Sequence, residues 1–263
     1  MTSSFPRRNA TCAAAVVIAL GTVPARAQPC AIPSGASTKL AAIDASERIA
    51  FIHATMDEQA RYARTWKWAW VGIGSATVVA SFSVAIGYAA SSSPARDANV
   101  TDNLVAGAVS IATPIVTLFL APRVESDAPK LDALLRDTNG GAAGACIVVA
   151  RAEELLARSA EDEAFATGWI AHTTSILGAG ALFAFMAVEA ALATDSVSRD
   201  AHWQNAIING AAGIVYAELQ ILTTPTGATS SYARYLKGDL HRKSQVHVAV
   251  LPTLGGLALG VTF

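Results

Sequence analysis

The chain has 263 residues, of which 52% are hydrophobic and 15% charged, with a formal net charge of −1. An ordinary soluble domain has about 25% charged residues. Together with a mean hydropathy of +0.40, the composition excludes intrinsic disorder and argues against a plain soluble enzyme. No basic surplus points to nucleic acid or to a polybasic lipid anchor.

Residues 1–27 read as a cleaved secretory signal. Arg7 and Arg8 precede an apolar stretch from Ala10 to Gly21, and Ala25-Arg26-Ala27 supplies a small-x-small cleavage pattern before Gln28. The apolar stretch is too short to span a bilayer comfortably. Cleavage removes Cys12 and leaves Cys30 and Cys146 as an even pair entering an oxidising compartment, so a Cys30–Cys146 disulfide is expected. Arg7, Arg8 and Arg26 leave with the signal, so the mature charge is 16 minus 20, or −4.

The remainder divides into a helical membrane unit over 28–245 and a terminal segment over 246–263. From Thr38 to Trp70 there is no Pro or Gly, and Leu40, Ile43, Ile49, Ile52 and Met56 alternate with charges, which predicts an amphipathic helix running into the first span. Uncharged runs then predict spans at about 68–90, 103–122, 166–190 and 203–225, each near the 20 residues a membrane helix needs. Only Glu218 interrupts the fourth run, and Pro114 predicts a kink in the second span. The runs are rich in Ala, Gly, Ser and Thr, as in Gly72-Ile73-Gly74-Ser75 and Gly178-Ala179-Gly180, which favours close helix packing.

A soluble bundle with small-residue cores is the alternative. Tryptophan placement favours a membrane: Trp66, Trp68 and Trp70 stand with Lys67 at the first span, Trp169 opens the third and Trp203 the fourth. With the signal cleaved, both termini lie in the periplasm and the loops at 91–102 and 194–200 face the other side. Those loops carry only Arg96 and Arg199, against the positive-inside tendency, although the longer exported segments have a similar basic density. Inner and outer membrane both fit this reading.

Outside the spans, a short helix is expected from Pro129 to Arg136, and a stripe of Ile147, Val148, Leu155 and Leu156 predicts a helix from Ala145 that continues through Leu192. Beyond Pro225 and Gly227 the chain turns polar and basic. Alternating β-branched residues at Val246, Val248 and Val250, a break at 252–256 and a second run to Phe263 predict a β-hairpin. The expected fold is therefore all-α, a four-helix transmembrane bundle with long projecting helices and a short C-terminal β-hairpin.

Ionisable residues within a span are candidate functional groups by default. His172 and Glu218 are expected about 10 Å inside antiparallel neighbouring helices, where an imidazole and a carboxylate can share a proton or fix helix register. Glu189 and Asn209 form a second candidate polar pair near the opposite surface. No catalytic residues are read: GxGxxG after a strand, GxxxxGK[ST], GxSxG and HExxH are all absent. No metal cluster follows from the Cys or His spacing, and no cofactor is expected.

The stretches Arg64-Thr65-Trp66-Lys67-Trp68-Ala69-Trp70, Asp162-Glu163-Ala164-Phe165 and Glu218-Leu219-Gln220-Ile221, with Pro225-Thr226-Gly227, resemble an uncharacterised group of signal-bearing envelope proteins from myxobacteria-like bacteria. The resemblance implies placement in an envelope and brings no activity, cofactor or site. The expected role is a non-enzymatic scaffold or interaction protein in contact with membrane lipid, with a second copy or another envelope protein as partner. A small transporter or channel component using His172 and Glu218 is the alternative, and a membrane enzyme ranks third.

Overall fold

Asp44 sets the start of the longest element. Its side chain accepts the backbone N–H of Ser46 at 2.8 Å, which caps helix α2, Ala45–Ala89. The computed structural model describes residues 30–119, 121–137, 142–241, 247–253 and 256–262, and the expected signal lies outside them. The expected continuous helix from Thr38 is corrected here. A separate short helix α1, Thr38–Ala41, precedes the cap, and the extended backbone of Asp44 divides it from α2.

The 45 residues of α2 measure about 67 Å at 1.5 Å per residue, twice the apolar thickness of a bilayer. Its first half therefore belongs to a layer outside the membrane, called the head below, and its second half to the membrane layer. Four helical runs, Ala45–Ala89, Arg96–Asp137, Gly144–Leu192 and Ser196–Leu236, are long and apolar enough to cross a membrane. The chain is a membrane protein. Large apolar side chains on these runs face outward, with Phe119 83% and Leu222 73% exposed, and lipid is the solvent that such surfaces require.

Three of the runs are broken near the membrane boundary or within it. The second divides at Ile111 into α3, Arg96–Ser110, and α4, Ala112–Phe119. Pro114 has no N–H for the carbonyl of Ser110, and the N–H of Ile111 is shared between the carbonyls of Gly107 and Ala108 at 3.2 and 3.3 Å. The third run divides at Thr167 and Gly168 into α6, Ala142–Ala166, and α7, Trp169–Leu192, so the expected unbroken helix through Leu192 is corrected. The fourth divides into α8, Ser196–Leu222, and α9, Gly227–Leu236, around Pro225.

The head is built from α1, the first half of α2, α5 (Val124–Asp137), α6 and α9. Leu40, Ile52, Met56, Leu131, Leu156 and Tyr235 are fully enclosed in its core. Helix α5 starts earlier than the Pro129 expected from sequence, because Pro129 is accommodated within it. In the membrane layer the packing is thinner: Ala106, Met186 and Ala206 form a small core, and Gly213 lets α8 approach α7 until an added Cβ would lie 3.2 Å from Ala179.

The expected fold class is corrected on two points. Every buried residue of both cores lies on a helix, and the body is an all-helical two-layer structure rather than the expected four-helix bundle with long projecting helices completed by a β-hairpin. Among the described residues the extended segments His247–Thr253 and Gly256–Thr262 pair only with each other, His247 opposite Thr262, and a two-stranded ribbon leaves the class all-helical.

Candidate functional site

Cys30 and Cys146 are joined by a disulfide, with Cα atoms 5.1 Å apart. It ties the segment before α1 to the first turns of α6. Beside it Arg48 donates to the carbonyl of Ala31 at 3.0 Å, to the Tyr235 hydroxyl at 2.8 Å and to Glu153. Tyr235 also donates to Glu153. Burial pushes the Tyr235 hydroxyl above its ordinary pKa, so it stays a donor. This network fixes α2, α6 and α9 around the disulfide.

Below the head, α7 and α8 are joined by a short turn and so run antiparallel. The Nδ1 of His172 lies 2.7 Å from Oε2 of Glu218, and the Ser175 hydroxyl lies 3.1 Å from Oε1. Because α7 begins at Trp169, His172 is only three residues into it, and Glu218 is four residues from the end of α8. Along the helix axes the pair lies about 5 Å from these helix ends, against the about 10 Å reckoned from the expected span ends. Both side chains are half-buried, close to the junction with the head.

Glu189 and Asn209 are not brought together, and that expected pair is corrected. The Asn209 amide donates to the carbonyl of Asn205, one turn back on its own helix, and packs against Met186 Sδ at 3.7 Å.

Asp102 belongs to a second cluster, which the sequence reading missed. The Nδ1 of His202 is 2.9 Å from both carboxylate oxygens of Asp102, and the Asn205 amide donates to Asp102 Oδ2 at 2.8 Å and to Asn99 Oδ1 at 3.0 Å. Asp102 is 0% exposed. The available signal was the i, i+3 spacing of Asn99 with Asp102 and of His202 with Asn205, which places each pair on one helix face.

These residues open a polar line along α8. His202, Asn205, Asn209, Tyr216, Gln220 and Thr223 recur at three- and four-residue spacing, with one seven-residue step from Asn209 to Tyr216, on one face. Gln220 donates to Thr117 at 2.9 Å, and Thr223 accepts from the indole N–H groups of Trp66 and Trp70 at 3.2 and 3.1 Å. Trp66 and Trp70 thus turn inward and hydrogen-bond α8, while Trp68 is exposed. The Tyr216 hydroxyl is buried without a hydrogen-bond partner among the described residues, against Trp70 and beside the close approach of Gly74 to Pro114.

Two groups in the head complete the inventory. Glu163 is buried on α6 and accepts the N–H groups of Ala228 and Thr229 at the start of α9. His53, Asp57 and Asp132 form a set of three side chains with metal-ligating atoms. No known family model, curated protein or solved structure matches the chain.

Proposed function

We propose that the chain is an integral protein of a bacterial envelope, of the kind it resembles in sequence, whose four membrane helices carry a disulfide-tied helical head in the periplasm. Its role is that of a non-enzymatic scaffold, with the head as the surface offered to a second copy or to another envelope protein. The observation that carries this reading is the head itself: a separate helical core closed by the Cys30–Cys146 bridge and the Arg48, Glu153 and Tyr235 network. A disulfide suits an oxidising compartment.

Two measurements test it. A membrane-impermeant thiol reagent applied to intact spheroplasts labels a cysteine placed at exposed Glu161 and leaves one placed at Asp97 unlabelled; the reverse pattern removes the periplasmic head. Photocrosslinking in cells from exposed Ile147 gives discrete adducts, and a monomer alone removes the scaffold role.

A second reading, a small transporter or channel component, is favoured by the 2.7 Å contact of His172 with Glu218. An imidazole and a carboxylate in contact can pass a proton or hold a cation. Proton flux into vesicles containing the Glu218→Gln protein falls if this reading holds, and unchanged flux with normal folding removes it.

A further inference from the structure

Among the described residues Asp57 and Asp132 have no Lys or Arg within ion-pair distance, unlike four other carboxylates of the head. Glu153 meets Arg48, Glu125 meets Lys67 and Arg64, Asp127 meets Lys130, and Asp162 meets Arg123. Among the described residues Asp57 and Asp132 share a single histidine: Nε2 of His53 is 2.7 Å from Asp132 Oδ1 and 3.7 Å from Asp57 Oδ2. That nitrogen carries at most one proton, and it can donate it to only one of them. With a neutral imidazole the cluster holds two negative charges and an unanswered carboxylate.

We propose that His53, Asp57 and Asp132 bind a divalent transition-metal cation, with Zn²⁺ as the reference ion, clamping α2 to α5. The three ligand atoms lie within 4.8 Å of one another. A tetrahedral site with bonds of about 2.0 Å places them about 3.3 Å apart. A shift of about 1 Å in each side chain closes the difference, and the side chains are free to make it, being 36% and 40% exposed. His53 and Asp57, one turn apart on α2, present two ligands from one face, as helical metal sites commonly do.

The donor set selects the class of ion. One imidazole nitrogen with two carboxylates suits Zn²⁺ and its first-row neighbours, whereas Ca²⁺ requires six to eight oxygens and Mg²⁺ retains its water. The cation replaces the imidazole proton donated to Asp132, neutralises both carboxylates and leaves a coordination position toward solvent. It joins the helix that continues into the first span to the helix that follows the second, so occupancy stiffens the head. This goes beyond the scaffold reading and does not depend on it.

The test uses the tag-free, full-length protein in detergent, stripped with a chelator and titrated with Co²⁺ and then Zn²⁺. One equivalent of Co²⁺ is expected to bind with visible d–d absorption that Zn²⁺ abolishes, and Zn²⁺ raises the unfolding temperature. His53→Ala and Asp132→Asn each weaken binding at least about tenfold. Asp57→Asn, which breaks no close hydrogen bond, does the same with an unchanged unfolding temperature in the metal-free state. Absence of stoichiometric binding, or affinity unchanged in all three variants, overturns the proposal.

Discussion

The Oε2 of Glu163 lies 2.8 Å from the backbone nitrogen of Thr229, beneath the first turn of α9. Oε1 is 3.1 Å from the nitrogen of Ala228, and the residue is 1% exposed with no Lys or Arg in ion-pair distance among the described residues. The carboxylate therefore answers N–H groups that the helix leaves orphaned. Desolvation outweighs that help and pushes its pKa from 4.5 up to about 7, with neighbouring Asp162 adding to the rise.

A raised carboxyl pKa means that Glu163 contributes most to the stability of the folded head at low pH. Between the unfolded value of 4.5 and about 7 the unfolded chain has released this proton and the folded chain retains it. Stability consequently falls as pH rises through that window, by up to about 3 kcal/mol, and is level above it. Unfolding of the detergent-solubilised protein should show this slope between pH 5 and 7.5, and Glu163→Gln should flatten it. An equal slope in the variant would assign the effect to other groups.

The disulfide offers a second measurement. It links residues 116 apart in sequence, and in the chain-entropy model closing such a loop contributes about 4 to 5 kcal/mol. Reduction, or the paired replacement Cys30→Ser with Cys146→Ser, should lower the unfolding midpoint of the head by several degrees while leaving the membrane helices intact. A midpoint insensitive to reductant would show that the Arg48 network alone holds the Ala31 segment.

What could be read from the chain follows from where its signals reside. His172 and Glu218 stand out because each is an ionisable group set within an apolar run, and the short turn between α7 and α8 forces the runs antiparallel. His202 and Asp102 do not, because Asp102 falls at the edge of its run and α3 and α8 are not consecutive. Helix α9 was hidden because its first N–H groups are answered from a distant helix, by Glu163, rather than by a local cap. Gly168 broke a run that periodicity alone makes continuous. Asn209 does not pair with Glu189 because its amide donates to the Asn205 carbonyl on its own helix, and a sequence does not rank local against tertiary partners.

Arg48 and Glu153 provide a third case. They are 1% and 7% exposed and answer each other within the head. Arg48→Ala removes the cation and leaves Glu153 buried, which should cost about 3 to 5 kcal/mol. Adding Glu153→Leu should recover a large part of that loss, since the uncompensated charge goes with it. A double-mutant cycle on thermal or denaturant unfolding measures the coupling, and strictly additive losses would show that water reaches the site.

The two histidine–carboxylate contacts of the membrane layer should respond differently to truncation. Asp102 is 0% exposed and receives both His202 and the Asn205 amide, so Asp102→Ala strands two donors in a dry interface. Leaving buried polar groups unsatisfied costs about 1 to 3 kcal/mol each. Glu218 is half-buried near the head, where water can replace it for His172 and Ser175, and interhelical hydrogen bonds in membranes average about 0.6 kcal/mol. Glu218→Ala should therefore cost under about 1 kcal/mol. Unfolding of reconstituted protein in bicelles by increasing SDS measures both, and a Glu218 loss equal to that of Asp102 would show that His172 is enclosed by a surface the monomer does not supply, such as a second copy.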